Sequence, residues 1–307
     1  VFALAASVGA VVAARFVDRV GKGIRGAPRD ALLADITPPA LRGAAYGLRQ
    51  SLDTVGAFTG PLLATALMLL WANDFRAVFW VAVIPGVLAV LLLLVGIREP
   101  KTHADHRPTN PIRREALARL DRRDWRVVAI GALFTLARFS EAFLVLRAAE
   151  IGIGVAWVPL VMVTMNLAYA ATAYPFGKLS DSLSHARLLA AGLVVLIAAD
   201  LLLASASDWK LLLAGVALWG VHMGMTQGLL AAMVADTAPA DLRGTGFGLF
   251  NLLGGVAMLI ASALAGVLWH YLGSALTFHV GAGIAGLTLA GIFWTMPLSR
   301  ATQDAQA

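Results

Sequence analysis

The chain has 307 residues, no cysteine, 59% hydrophobic and 14% charged residues, and a formal net charge of +6. A water-soluble domain carries roughly 25% charged residues, so this sequence lacks the polar surface to cover a globule in water and reads as an integral membrane protein. Zero cysteine excludes disulfides, Cys-ligated zinc and thiol nucleophiles. No His-Glu-x-x-His and no phosphate-binding Gly-x-x-x-x-Gly-Lys-Ser/Thr pattern occurs, so the expectation is a non-enzyme with no cofactor and no metal.

Apolar windows between polar punctuation predict helices near 8–34, 43–70, 77–98, 126–149, 153–178, 186–206, 209–235, 243–269 and 274–297. Residues 1–5 read as the tail of a further hydrophobic segment. These runs are continuous, without the alternation of a β-barrel strand, so the expected class is an all-α membrane protein.

The first helix carries Arg15, Asp18, Arg19, Lys22, Arg25 and Arg29 within an arc of about 120°. An ionisable side chain inside a membrane helix needs the bundle interior or a water-filled cavity, which makes Arg19 and Lys22 cavity candidates. In the next helix Arg49, Asp53, Gly56 and Gly60 share one stripe, and Arg49 and Asp53, four apart, can meet. Asp53 is a proton-coupling candidate: dehydration disfavours its charged form, a neighbouring arginine favours it, and alternating exposure switches between the two.

Residues 98–126 form the longest polar stretch, with Lys101, Arg107, Arg113, Arg114, Arg119, Arg122, Arg123 and Arg126. The positive-inside rule makes this loop cytoplasmic and divides the chain into 1–98, a linker 99–125, and 126–307. Ile112, Ala116, Leu117 and Leu120 share a face among arginines, which fits either a short interfacial helix or a solvated linker. Beyond it, Arg138 and Glu141 lie near the middle of their span; Glu141 is a second proton candidate, and Arg138 either neutralises it or binds an anion. Arg147 and Glu150 are expected to be solvated near the outer end. Asn166 and Gln227 are polar cavity candidates, beside Tyr169, His222, Asn251 and Asp200.

Residues 34–48 align without gaps to residues 235–249, with identical pairs Ala34/Ala235, Asp35/Asp236, Pro38/Pro239, Leu41/Leu242, Arg42/Arg243, Gly43/Gly244, Gly47/Gly248 and Leu48/Leu249. The offset of 201 residues spans about six helices and both copies fall on the same side of the membrane, so two parallel six-helix repeats are expected.

Two such halves joined by a basic cytoplasmic loop resemble the major facilitator superfamily. Gly177-Lys-Leu-Ser-Asp181 is similar to that family's loop between helices eight and nine, Gly-x-Leu-Ser/Ala-Asp-Arg-x-Gly-Arg-Arg, although Ser182, Ser184 and His185 depart from its Arg, Gly and Arg. Arg19-Val-Gly-Lys-Gly23 resembles the fourth-helix Arg-x-x-Gln-Gly with Lys22 in place of Gln, and Gly56-x-x-x-Gly60-Pro61 resembles a fifth-helix antiporter motif.

The resemblance implies about nine of twelve membrane helices, lacking the first two and most of the third. It implies a secondary transporter moving a small solute by alternating access through proton-coupled efflux or antiport, with organic-anion uptake or exchange as the alternative. A receptor or scaffold on the same fold is the reading from another class. The implied setting is a bacterial inner membrane with the middle loop and C-terminus cytoplasmic. Protons, a small molecule and lipid are the expected partners, without nucleic acid, for a monomeric complete chain. Asp35, Arg42, Asp181, Asp236 and Arg243 are the expected gate, with Asp181 near the start of helix eleven or near Arg243.

Overall fold

The computed structural model describes residues 7–71, 74–96, 119–153 and 157–295. They form helices α1 (Val8–Ile36), α2 (Arg42–Leu70), α3 (Phe75–Gly96), α4 (Arg122–Ala137), α5 (Ala142–Glu150), α6 (Val158–Ser180), α7 (His185–Ser205), α8 (Trp209–Thr237), α9 (Arg243–Leu272) and α10 (Ser274–Thr295), with no strand among the described residues. The expected spans are met within a few residues, with one correction. The segment expected as a single helix over 126–149 is two helices, separated at residues 138–141.

Arg76–Gly96, Arg122–Glu150, His185–Ser205, Ala240–Leu272 and Ser274–Trp294 are long and apolar enough to cross a membrane by length and composition. On α3, Val83, Ile84, Val87, Leu88 and Val90 are exposed, a surface that acyl chains match and water does not. The core lies where α6, α7, α8 and α10 pack together, around the fully buried Leu189, Leu193, Leu196, Leu212, Trp219 and Phe278.

The two repeats have the same local geometry. α1 and α8 are both 29 residues long and end at Ile36 and Thr237; short 3-10 turns follow at Pro39–Leu41 and Ala240–Leu242; α2 and α9 begin at Arg42 and Arg243. The dihedrals agree closely: Pro38 and Pro239 adopt φ −53 ψ 140 and φ −51 ψ 144, Leu41 and Leu242 φ −124 ψ 7 and φ −117 ψ 7. Proline fixes φ and removes a donor, so the same residue ends the first helix of each repeat at the same step. Both copies are therefore helix–turn–helix, as the alignment requires. The expected face of Ile112, Ala116 and Leu117 lies outside the described residues. Leu120 is buried against Leu242 and Leu249, and Arg119 pairs with Asp241 at 2.6 Å, which ties the start of α4 to the second turn.

α2 approaches α6 and α8 through glycines. A Cβ on Gly47 would lie 2.5 Å from the Ala173 carbonyl oxygen, one on Gly177 would lie 2.4 Å from the Gly43 carbonyl oxygen, and one on Gly228 would lie 3.1 Å from the Gly47 nitrogen. Small residues let helix backbones come this close, and van der Waals contact then holds them without a hydrophobic driving force. Gly47→Val is expected to separate α2 from α6 and abolish a monodisperse, cooperatively melting protein. Gly21→Val, with nothing within 4 Å of its Cβ, should leave the elution profile and melting curve nearly unchanged; equal behaviour of the two variants would show that the seam is not required.

Candidate functional site

The repeat loops meet at one end of the bundle and exchange charges. Arg42 of the first repeat donates to Asp236 of the second at 2.7 Å, and also to the carbonyls of Ala235 at 3.2 Å and Ala34 at 3.4 Å. Arg243 of the second repeat pairs with Asp35 of the first. Since Asp35/Asp236 and Arg42/Arg243 are equivalent positions, these are the same contact made twice with the halves interchanged. Between them Tyr46 and Phe247, again equivalent and both buried, place their ring centroids 6.0 Å apart.

Asp181 lies at the C-terminal end of α6, and its carboxylate accepts from the amides of Gly43 at 2.7 Å and Ala44 at 2.9 Å. A carboxylate there satisfies donors that the start of α2 leaves free and faces the positive end of its dipole. Of the two expected positions, the one at the start of helix eleven is corrected: Asp181 caps the start of α2. The starts of α2 and α9 are repeat-equivalent, and Asp181 caps the one in the opposite half. Gly43 permits the approach, because a Cβ there would lie 2.0 Å from the Ser180 hydroxyl.

Farther along the same two helices a second polar group spans α1 and α2, with Asp53 exposed. Asp53 lies 3.3 Å from Arg29 and 3.4 Å from Arg49, and Arg49 is 3.2 Å from Asp30. The expected Arg49–Asp53 contact is thus present within a quartet of two arginines and two aspartates. The Tyr46 hydroxyl donates to the Asp30 carbonyl at 2.6 Å. None of this recurs in the other half, where Arg29, Asp30, Arg49 and Asp53 correspond to Leu230, Ala231, Phe250 and Gly254.

The break between α4 and α5 carries Arg138 and Glu141. With the Gln227 amide oriented to satisfy both partners, its oxygen accepts from the two Nη atoms of Arg138 at 2.7 and 3.2 Å. Among the described residues Arg138 and Glu141 form no ion pair with each other or with another side chain. Tyr169 of α6 is buried and lies within electrostatic reach of Arg138, Glu141, Arg49 and Asp53. Charged groups of both halves therefore act on one buried tyrosine.

The other sequence candidates fall elsewhere. Arg19 and Lys22 are on an exposed face of α1, with Lys22 3.6 Å from Asp18. Asn166 donates to the Met162 carbonyl of its own helix. Gly56 and Gly60 have open space at their Cβ positions. Arg147, expected to be solvated, is a correction: it donates to the carbonyls of Leu203, Ala204 and Ala206 and to Ser274, closing the C-terminal end of α7, where carbonyls lack helical partners and a cation suits the dipole. His222 is buried, with Nδ1 2.8 Å from the Gly192 carbonyl and its ring stacked on Phe134.

Two repeats of one helical design, locked by reciprocal ion pairs around a polar centre, are the architecture of a membrane transporter with two pseudo-symmetric halves. The sequence profile of the Major Facilitator Superfamily matches residues 1–146 and 127–307, and the chain belongs to that family. An uncharacterised MFS-type transporter of Methanocaldococcus jannaschii is 32% identical over 275 residues, covering 88% of this chain and 68% of its own length. An uncharacterised protein of Mycobacterium tuberculosis is 28% identical over 260 residues, covering 83% of this chain; the chain spans 62% of that relative. Among solved structures, the human organic anion transporter MFSD10 superposes with a TM-score of 0.75 at 19% identity over 95% of this chain and 73% of that one. The Escherichia coli fucose:proton symporter FucP superposes with a TM-score of 0.67 at 14% identity over 87% and 72%. Family membership makes the chain an integral membrane protein of a secondary-transporter family, not an enzyme.

The reciprocal pairs are expected to act as a unit. Arg42→Gln or Asp236→Asn should each cost about 1.5–3 kcal/mol, the range for a hydrogen bond to a charged group, read as a lowered melting temperature. The double variant should cost less than the two losses added, and strict additivity would show that the pair contributes nothing.

Proposed function

We propose that the chain moves a small organic anion across the membrane by alternating access, coupled to protons, with the substrate between Arg138, Gln227 and Tyr169. The observation that carries this reading is the separation of Arg138 from any carboxylate. Its guanidinium, partly buried, faces an amide oxygen, which leaves a positive charge to meet an anion, and a cation within a membrane bundle is stabilised by such a partner. Glu141, on the far side of the same break, is then free to hold a proton, and Asp53 is the corresponding carboxylate of the other half. MFSD10, an organic anion transporter, and FucP, a fucose:proton symporter, share the fold, and their chemistry supports the reading.

In this reading the loop end is cytoplasmic, because the basic stretch around Arg119, Arg122, Arg123 and Arg126 lies there. The Arg42–Asp236, Arg243–Asp35 and Asp181 contacts then seal the inner side, and the substrate site faces outward. Binding and release of the proton bias which side opens, since a ligand shifts a two-state equilibrium only by its differential affinity for the two states.

The test is flux of a panel of carboxylates, sulfonates, neutral sugars and amines in liposomes holding the full-length protein under an imposed pH gradient. Only the anions should be carried. Arg138→Gln should reduce their transport roughly ten- to a hundredfold, the equivalent of a lost charge-assisted hydrogen bond. Glu141→Gln or Asp53→Asn should preserve exchange while losing gradient-driven accumulation. Transport of sugars or amines unaffected by Arg138→Gln would overturn the anion assignment, and full accumulation in both carboxylate variants would overturn the coupling.

A further inference from the structure

A cavity of about 880 Å³ lies away from the central polar group, between α4, α8 and α10 at the loop end of the bundle. Its mouth and its depth differ in chemistry. At the mouth stand Arg123 and Arg126, both exposed, with His185 at the start of α7. Among the described residues neither arginine forms an ion pair. The one carboxylate in the lining, Asp236, is engaged by Arg42, so the two exposed arginines give the mouth a net positive charge; the amides at the start of α4 are already capped by Asp121 and Asp124.

Below the mouth the walls are apolar. Ile130, Leu133 and Leu136 descend one face of α4, Leu287 and Ile292 face them from α10, and Met233 of α8 contributes to the lining. Leu133 and Leu287 are exposed, Leu287 by 76%, so the groove opens sideways as well as at its end. From Arg126 to Leu136 the apolar wall rises about 15 Å at 1.5 Å per residue, which is half of a hydrocarbon core about 30 Å thick. A groove one leaflet deep, open to the side and headed by two arginines, has the shape and charge of a single lipid.

We propose that this groove binds an anionic phospholipid of the cytoplasmic leaflet, with one acyl chain against Ile130, Leu133, Leu136 and Leu287 and the phosphate on Arg123 and Arg126. Basic pockets between membrane helices on the cytoplasmic side suit such headgroups, and a guanidinium matches phosphate oxygens in a bidentate fork. The inference rests on the membrane orientation proposed above and is independent of which solute is carried. The bound lipid sits against Asp236 and so borders the Arg42–Asp236 contact that closes this end.

The experiment uses the full-length protein purified in a neutral detergent, with binding read by native mass spectrometry and by the shift in melting temperature. The additives are phosphatidylglycerol, phosphatidylcholine of the same chains, and inorganic phosphate. Phosphatidylglycerol should bind about tenfold more tightly than phosphatidylcholine. Arg123→Gln/Arg126→Gln, which changes only exposed residues, should bring the two lipids level. Gly291→Phe projects a ring from the groove lining into open space and should weaken both lipids with the arginines intact. Equal affinity for the two lipids in the unmodified protein, or a preference for phosphatidylglycerol that survives both variants, overturns the proposal. So does inorganic phosphate that stabilises as strongly as the lipid, since the site would then be one for a free ion. Loss of anion flux in Arg138→Gln tests the transport reading separately and has no bearing on these outcomes.

Discussion

Each repeat supplies an arginine to the aspartate of the other, and the rest of the closed end depends on that exchange. A guanidinium taken out of water is costly unless its donors are met. Arg42, only 7% exposed, offsets that cost through its two terminal nitrogens, which meet a carboxylate and two carbonyls, one from each repeat. The Arg243–Asp35 contact repeats the arrangement from the other side. Because both pairs cross between the halves, a rocking motion that breaks one strains the other, and the two should open together. Asp181 adds a third tie of the same kind, by hydrogen bonds to the backbone instead of a second charge. Beneath these ties the seam of Gly43, Gly47, Gly177 and Gly228 brings backbones into contact with no long side chain to disengage. Polar contacts fix the position of this end, while the seam leaves the helices free to slide once those contacts part.

The same backbone carries different chemistry in the two halves. Offset by 201 residues, the helix boundaries and turn dihedrals agree, yet the quartet of Arg29, Asp30, Arg49 and Asp53 faces Leu230, Ala231, Phe250 and Gly254 at the equivalent positions. In the second half the polar groups come instead from the helix break and from α8, as Arg138, Glu141 and Gln227. Duplication accounts for the lock, which needs symmetry to seal one end from both sides. Duplication does not account for the quartet or for the Arg138–Gln227 contact, which have no counterpart in the opposite half.

The residues of the reciprocal pairs stand out in the sequence because they are identical in the two copies, and identity at fixed spacing survives without any knowledge of packing; that each arginine reaches the aspartate of the other copy is visible only in the structure. The position of Asp181 was not legible for the same reason: duplicated helix starts at Arg42 and Arg243 offer two equivalent docking sites, and only the tertiary arrangement selects the first. Arg147 was misplaced because a charged residue near a helix end normally reaches water, whereas here the carbonyls at the end of α7 meet it inside the protein. The break at 138–141 left no glycine or proline to mark it. Its causes are a long-range aromatic contact and the Ser140 hydroxyl accepting from the Ala142 amide at 3.3 Å, and neither stands out against a continuous apolar run.

That break decides what Arg138 can do. In an unbroken helix Arg138 and Glu141, three apart, would lie on one face and pair, each cancelling the other. Arg138 instead adopts an extended conformation, φ −116 ψ 106, and successive residues of extended chain point to opposite sides. Arg138 therefore turns to Gln227. Phe139 turns to the aromatic rings of Phe143, Trp219 and Phe278, with centroids at 5.3 to 5.4 Å. Each aromatic contact is worth about 0.5–1.5 kcal/mol beyond its burial, so three of them help offset the backbone hydrogen bonds the break gives up. The anchor extends further, since a Cβ on Gly281 would lie 3.0 Å from the Phe139 ring and 2.9 Å from a carboxylate oxygen of the fully buried Asp200. Aromatic packing around Phe139 thus holds the helix open and leaves Arg138 and Glu141 without an ion pair between them.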